Sequence, residues 1–547
     1  MKRIGVLLMF GLMLSSCNNI SSSNSSFSNL SEISRENNVV SKVERLSDSK
    51  TCLIVDGKPF NLRGAQVRID GLMNRLSTLE DAPKPLSFEE MEVYFAKAKE
   101  IGLNTLELPV EWSKIETSKD VYNFDLVDTL LTMCNKYDLK CEFLWFSTNM
   151  CGDVHEFHVP SYILNDEESY PKISADKLYK DNKLYGDFYF LVLNNPKLMQ
   201  REEKALSQIM NHVYEWNQNN GNKNPLIGFQ VHNEPDGLLR WRLKQNNLKL
   251  NGKSIEPMYL WKMILESLNN AGMAIKKSNY KIYTRVNMTV TLGVDNFKEF
   301  PDLNMSPLDV MNLEGIDIVG DDPYVDSPSI INQVVKNYNV KNNYPMICEN
   351  MGNYSSSPSL FLTAYQAGGC YMFYDLATSE YFIYANKGSS YQMDQGLLNY
   401  DLTYKSHSED TINIIKSIKD MECIVPLTDS KDFACFNVKT ISPLTSISQT
   451  INTSNISLTF TTNDGAIGCA IEHDEYVYMF ANKKSKMVIN NADIRLKIDI
   501  GVFKDEEYVV KEEQYITNEI DLTPNKLYRV SIRKIHDKVV SNTNEYV

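Results

Sequence analysis

Between about residues 62 and 421 the chain changes period repeatedly: a short apolar run, then a longer stretch with helical spacing, then another apolar run. Eight strand-like runs follow one another. The first leads out of the turn in "CLIVDGKPFNLRG" and ends at Val67. "NTLELPV", "KCEFLWFS", "LIGFQVHNE", "KIYTRVNM", "GIDIVGDDPY", "PMICENMG" and "CYMFYDL" come after it. Between them lie stretches with the spacing and punctuation of helices, such as "SFEEMEVYFAKAKEIG", which stops at Gly102, and "NPKLMQREEKALSQIMNHVYEWNQNNG". Eight such units predict a (β/α)8 TIM barrel with insertions. A doubly wound parallel sheet is the competing architecture. It would want a glycine-rich phosphate turn after the first strand, and "RGAQVRIDG" is not one.

After about Leu427 the helical period disappears. "DFACFNV", "ISLTFTT", "GAIGCAIEH", "YVYMFANK", "RLKIDIGVF", "EYVVKEEQ" and "LYRVSIRKI" are short strands with turn residues between them, the pattern of a β-sandwich. The expected organisation is a barrel over residues 50–427 and a C-terminal β-sandwich over 428–547.

The start of the chain reads as targeting, not fold. "MKR" is followed by the apolar run "IGVLLMFGLML", too short to span a bilayer, and then by "LSSC" ending at Cys17. A cysteine directly after small residues at that point resembles a bacterial lipobox. Residues 1–17 are therefore expected to be a lipoprotein signal peptide, with Cys17 lipidated. Residues 18–49, rich in Ser and Asn, are expected to form a flexible tether. This places the protein on a bacterial membrane by a lipid anchor, most simply the outer membrane facing the periplasm or the cell surface.

The net charge of -14 and the lack of a basic run argue against nucleic acid as a partner. The cysteines beyond Cys17 show no paired metal-type spacing, and Cys348 and Cys370 fall within strands, as small buried side chains do. His155 and His158, near Asp153 and Glu156 in "GDVHEFHVP", suggest a metal only weakly. No third cluster joins them, so no metal and no cofactor is expected.

In a barrel, residues at the C-terminal ends of the strands face the site. The fourth strand ends in Asn233-Glu234 and the seventh carries Glu349. Carboxylates on opposite strands suit glycoside hydrolysis: one donates a proton to the departing oxygen, and the other attacks the anomeric carbon or activates water. An acid used this way has to be held rigidly and partly desolvated, which explains a carboxylate at the tip of an apolar strand. Pro235 ends that strand.

This arrangement resembles the superfamily of retaining glycoside hydrolases that carry the acid/base on strand four and the nucleophile on strand seven of a TIM barrel. "FLWFSTNMCGD…VPSYIL" also looks like the loop after strand three in β-galactosidase-like members. The resemblance covers roughly residues 52–427. It implies that Glu234 is the acid/base, that Glu349 is the nucleophile, that Asn233 bonds the sugar 2-hydroxyl, and that Tyr324 bonds the nucleophile. The family's last strand usually supplies a tryptophan platform, where this chain has Tyr371, Phe373 and Tyr374.

Further substrate contacts are expected from Arg68, Asn149, Trp145 and Trp241. Arg68 either holds Glu349 ionised or lies on the surface. Trp145 and Trp241 are candidate sugar platforms, with core packing as the alternative. His232 is expected to be a satisfied core histidine, and Asp321 or Asp322 to bind a hydroxyl or cap a turn. The expected partner is a carbohydrate and the expected activity a retaining β-glycosidase, β-galactosidase-like in the first instance. A β-mannosidase, an endo-β-glucanase or a non-catalytic surface glycan-binding lipoprotein are the alternatives.

Overall fold

The computed structural model describes residues 39–48, 50–69, 87–150, 158–174, 189–243, 247–292, 294–377, 395–438, 446–463, 465–490 and 496–532. Cys17 and the rest of the expected signal peptide, residues 1–17, lie outside the described residues.

Eight parallel strands close into a barrel in chain order: β1 (Arg63–Gln66), β2 (Thr105–Pro109), β3 (Lys140–Met150), β4 (Leu226–Asn233), β5 (Tyr283–Met288), β6 (Ile318–Asp321), β7 (Met346–Met351) and β8 (Cys370–Tyr374), with β8 pairing back onto β1. The closing register sets Tyr371 opposite Arg63 and Phe373 opposite Ala65. Each strand faces the barrel lumen on one side and helices on the other, so runs such as Thr105–Pro109 are buried at every position. Cys348 and Cys370 are buried among them.

Among the described residues the helices include α1 (Phe88–Glu100), α2 (Asp125–Tyr137), α3 (Pro196–Asn219), α4 (Pro257–Lys276), the single turn α5 (Pro307–Val310), α6 (Pro328–Tyr338), α7 (Ser357–Gln366) and α8 (Ser408–Lys419). Their ends are written locally. At α1 the Glu90 N–H donates to Ser87 Oγ and the Ser87 N–H to the Glu90 carboxylate, a reciprocal cap. Gly102, just past that helix, takes φ +93°, where a side chain would be strained.

The stretch expected to be tether folds before it reaches residue 49. Ser41–Arg45 pairs antiparallel with Thr51–Val55, which turns at Asp56-Gly57 into Lys58–Pro59. The Val40 N–H donates to Lys281 O (2.8 Å), and the Tyr283 N–H to Ser41 Oγ (3.0 Å). This segment thus covers the N-terminal end of β5. Its valines Val40 and Val43 pack into the barrel's apolar cluster, a signal that the polar neighbours Ser41, Lys42 and Glu44 mask.

The C-terminal part is antiparallel throughout. One sheet has six strands, in the order β9 (Phe433–Val438), β12 (Ala466–His473), β13 (Tyr476–Ala481), β18 (Leu527–Ser531), β15 (Leu496–Lys504) and β16 (Glu507–Ile516). The other has four: β10 (Ile447–Asn452), β11 (Ser457–Thr462), β14 (Ser485–Ile489) and β17 (Glu519–Leu522). Three of these four, β10, β14 and β17, escape a reading of the sequence. They are short, and β10 buries only Ile451 outright. The inner faces share one apolar core, and β11 alternates buried with half-buried positions as a sandwich strand does. The outer face of the larger sheet docks on the barrel. Phe433, Cys469, Ile471 and Phe480 join the barrel's apolar cluster, and Asn437 Nδ2 donates to Ser359 Oγ on α7 (2.6 Å).

Candidate active site

At the C-terminal mouth of the barrel several strands end in conformations that side chains rarely adopt. Ser147 on β3, His232 and Glu234 at β4, Tyr324 after β6 and Asp375 after β8 have φ of 54°, 61°, 45°, 44° and 60°. Left-handed backbone at non-glycine residues costs of order 1–3 kcal/mol each and gathers where a fold aims particular side chains.

Glu234 is held by its own backbone. Its N–H donates to Asn287 Oδ1 at 2.9 Å. Asn287 comes from the end of β5, and its Nδ2 donates onward to Asn233 Oδ1 (2.9 Å) and to Asp322 Oδ2 (2.6 Å). One buried amide therefore ties together the ends of β4, β5 and β6. Asn233 Oδ1 receives a second hydrogen bond from Gln230 Nε2 at 3.0 Å.

Glu349 is held by its side chain. The Tyr324 O–H donates to Oε2, and Gln66 Nε2 donates to Oε1 at 3.0 Å. Burial raises the Glu349 carboxyl above its ordinary range. The Tyr324 hydroxyl, the Arg68 charge, the Gln66 amide and the Arg285 charge act against that rise. Tyr324 is itself fixed from β7: Asn350 Oδ1 accepts the Val325 N–H at 3.1 Å, and its Nδ2 donates to Val325 O at 3.1 Å.

Glu234 and Glu349 share a neighbourhood. Both charges act on Asp322, whose carboxyl is pushed well up, first by burial and then by the negative charges of Glu349 and Glu234. Burial also raises the Tyr324 hydroxyl, and both carboxylates raise it further. Glu234 is 6% exposed and Glu349 4%, so each is desolvated yet open to the mouth. Among the described residues no group of three or more His, Cys, Asp or Glu side chains is placed to hold a metal ion.

Arg68 is buried. Its Nη1 donates to Tyr374 Oη at 3.1 Å, and its guanidinium lies 5.5 Å above the Phe146 ring. Tyr374 meets Tyr324 edge-on at 5.7 Å. The end of β8 thus carries a tyrosine braced by an arginine where the resembled family usually has a tryptophan.

Trp145 is a correction. It is fully buried, packs against Trp112 at 5.8 Å between ring centres, and donates its indole N–H to Glu202 on α3 at 2.9 Å, so no face remains for a sugar. Trp241 is half-buried on a π-helical turn, Leu238–Arg242, that follows the Glu234 loop. Asn149 lies on β3, but its side chain is outside the described residues. His232 is buried in the core as expected but is only half satisfied: Ser267 Oγ at 3.4 Å and Glu202 at 3.5 Å both face its Nε2, and its buried Nδ1 makes no hydrogen bond among the described residues. His158 is buried and stacks on Phe146 at 4.5 Å. His155 falls outside the described residues. Of the two aspartates, Asp322 belongs to the mouth, whereas Asp321 accepts a hydrogen bond from the Tyr338 hydroxyl of α6.

Sequence reading missed Asn287. An asparagine closing the apolar run "YTRVNM" was its only trace.

A family described as a domain of unknown function (DUF4978) matches residues 263–443, from within α4 to beyond β9. No curated protein matches the chain by sequence. Solved structures similar to it include glycoside hydrolases. The exo-β-1,4-mannosidase Op5Man5 from Opitutaceae bacterium strain TAV5 is 13% identical, with a TM-score of 0.46 over 69% of this chain and 62% of that one. The match therefore spans less than two thirds of the mannosidase. The endo-1,4-β-mannanase from Rhizomucor miehei is also 13% identical, with a TM-score of 0.46 over 69% of this chain and 99% of that one. A catalytic mutant of Gan42B, a GH42 β-galactosidase from G. stearothermophilus, is 11% identical, with a TM-score of 0.48 over 86% and 98%. Identities of 11–13% leave the chemistry to be read from this chain's own residues.

Proposed function

We propose that this protein is a retaining β-glycoside hydrolase, with Glu349 as nucleophile and Glu234 as acid/base. The observation that carries the reading is the pairing at the barrel mouth. Glu349 is gripped by the Tyr324 hydroxyl and the Gln66 amide, and Glu234 bears on the same Tyr324 and Asp322.

Both donors to Glu349 stabilise its ionised form and orient its oxygens, as an attacking carboxylate requires. In the first half-reaction a Glu349 oxygen bonds to the anomeric carbon while Glu234 gives its proton to the leaving oxygen. In the second, Glu234 takes a proton from water, the water oxygen bonds to the anomeric carbon, and Glu349 departs as a carboxylate. The N–H2 of Asn233 serves the 2-hydroxyl, a contact that tightens as charge develops on the sugar. β-Galactosides are the first substrates to assay, with β-mannosides and β-glucans beside them.

The two roles separate chemically. Glu234→Ala should still be glycosylated by a dinitrophenyl β-glycoside, because that leaving group needs little proton donation, and should then stall. Azide needs no base, so it should restore turnover and give the β-glycosyl azide. An α-azide would replace this mechanism by direct displacement, and no rescue at high azide would count against Glu234 as the acid/base.

"LSSC" before the Ser/Asn-rich stretch supports a membrane tether at Cys17. A fatty-acid analogue fed to cells should label the protein and not Cys17→Ser. Equal recovery of both from the soluble fraction would refute the anchor.

A further inference from the structure

Below the mouth, the barrel is filled by polar side chains from the middles of its strands. Glu107 (β2), Glu142 (β3), Gln230 (β4) and Arg285 (β5) are all fully buried. Arg285 is their hub. Its Nε donates to Glu142 Oε2 at 2.8 Å, its Nη2 to Glu107 Oε1 at 2.6 Å, and its Nη1 to Gln230 Oε1. The Tyr283 hydroxyl donates to the other oxygen of Glu142. There is room for that ring only because β4 has Gly228, where a Cβ would stand 2.4 Å from Tyr283 Cζ.

A primary amide has a donor edge and an acceptor edge, and its partners decide which way round it sits. Arg285 can only donate, so Gln230 must turn its oxygen to it. The Gln230 nitrogen then faces Asn233 Oδ1, at 3.0 Å. Asn287 is oriented in turn, because its oxygen takes the Glu234 N–H and its nitrogen serves Asp322. That same nitrogen gives Asn233 Oδ1 its second hydrogen bond. The oxygen of Asn233 is thus committed to the barrel interior, and its N–H2 edge is turned toward the mouth. On the opposite side Arg285 holds Glu107, and Gln66 Nε2 spans Glu107 Oε2 (3.2 Å) and Glu349 Oε1 (3.0 Å).

We infer that Arg285 is the positioning residue of the site: through Gln230 it sets which edge of Asn233 meets the substrate, and through Glu107 and Gln66 it presents an N–H donor to Glu349. This rests on the hydrolase reading for what those edges do. The orientation itself is a property of the folded chain.

Gln230→Glu isolates the effect. Shape is kept and Arg285 keeps a partner, and a carboxylate held ionised by that guanidinium can only accept at position 230. The Asn233 oxygen then loses the Gln230 donor and keeps only the Asn287 N–H2, so its N–H2 edge is no longer held toward the sugar from both sides. On paired aryl β-glycosides, kcat/KM for the substrate with a 2-hydroxyl should fall roughly 10- to 100-fold further than for its 2-deoxy counterpart, the scale of one lost hydrogen bond in a desolvated site. Equal losses on both substrates would mean general distortion and would overturn the inference.

Neutron diffraction from the unaltered, deuterated protein gives a second measurement that needs no turnover. The deuterons of Asn233 should lie on the side away from Gln230, and those of Gln66 toward Glu107 and Glu349. An Asn233 oxygen facing the mouth would overturn the positioning role. Failure of the unaltered protein to cleave any glycoside would sink the hydrolase reading instead, with the deuteron positions still deciding this one.

Discussion

Between its two sheets the sandwich stacks Phe436 on Phe460 at 3.9 Å and surrounds them with Leu458, Met479, Ile489 and Val530. At the heart of the barrel, Arg285 is buried between Glu107 and Glu142. Apolar burial in the sandwich stabilises directly, at about 25 cal/mol per Å² removed from water. Buried ions are different: desolvation offsets most of their attraction, so a charged core contributes little net stability. The backbone differs in the same way. In the sandwich the left-handed residues Asp474, Asp505, Glu506 and Asn525 lie in turns between strands, whereas around the barrel mouth Ser147 and His232 lie within strands and Glu234, Tyr324 and Asp375 just past them. One half spends its residues on cohesion, and the other accepts strain and buried charge to aim side chains at a cleft.

That contrast is open to attack by mutation. The largest expected effect is Glu349→Gln, which should lower turnover on the best substrate by a factor on the order of 10³ or more, as losses of reacting groups do. Its thermal midpoint should stay level or rise, since a buried charge is removed and the shape kept. A fall of many degrees would instead make Glu349 a structural carboxylate and erase the contrast.

Phe460→Ala should do the reverse. It opens a cavity in the sandwich core and should cost about 3–5 kcal/mol in denaturant unfolding. Turnover per folded molecule should be unchanged. A parallel loss of kcat in the folded fraction would show that the two halves are not separable in this way.

Asp321 sharpens the comparison on a smaller scale. Burial pushes its carboxyl up to about 8, against the Tyr338 hydrogen bond. An unfolded aspartate titrates near ~4, so between about pH 4 and 8 the folded chain keeps a proton that the unfolded chain has lost. Stability should therefore fall as pH rises through that window, by up to about 1.4 kcal/mol per unit from this group, and level off above it. Asp321→Asn should flatten that part of the profile. An unchanged slope in urea titrations across the window would remove Asp321 from the account.

Much of this architecture was written locally. Alternation of period and Gly102 after one helix are signals a few residues long, and both reappear in the fold. The carboxylates at the ends of the fourth and seventh strands were legible for the same reason: a charged residue stands out at the tip of an apolar run. Trp145 was not. The pattern that makes a tryptophan a platform or a core residue depends on Glu202, 57 positions away, which takes its indole N–H.

Periodicity, capping and turn chemistry act over one element, so the count and order of the βα units, the all-β character of the C-terminal part and the carboxylates at strand ends were legible along the chain. The tertiary structure alone decided that Gln66 reaches Glu349 across 283 positions, that Asn287 ties Asn233 to Asp322, and that Arg285 sits under both sides of the mouth. Those contacts exist only once β8 closes onto β1, since closure turns strand ends distant along the chain into neighbours within hydrogen-bonding reach.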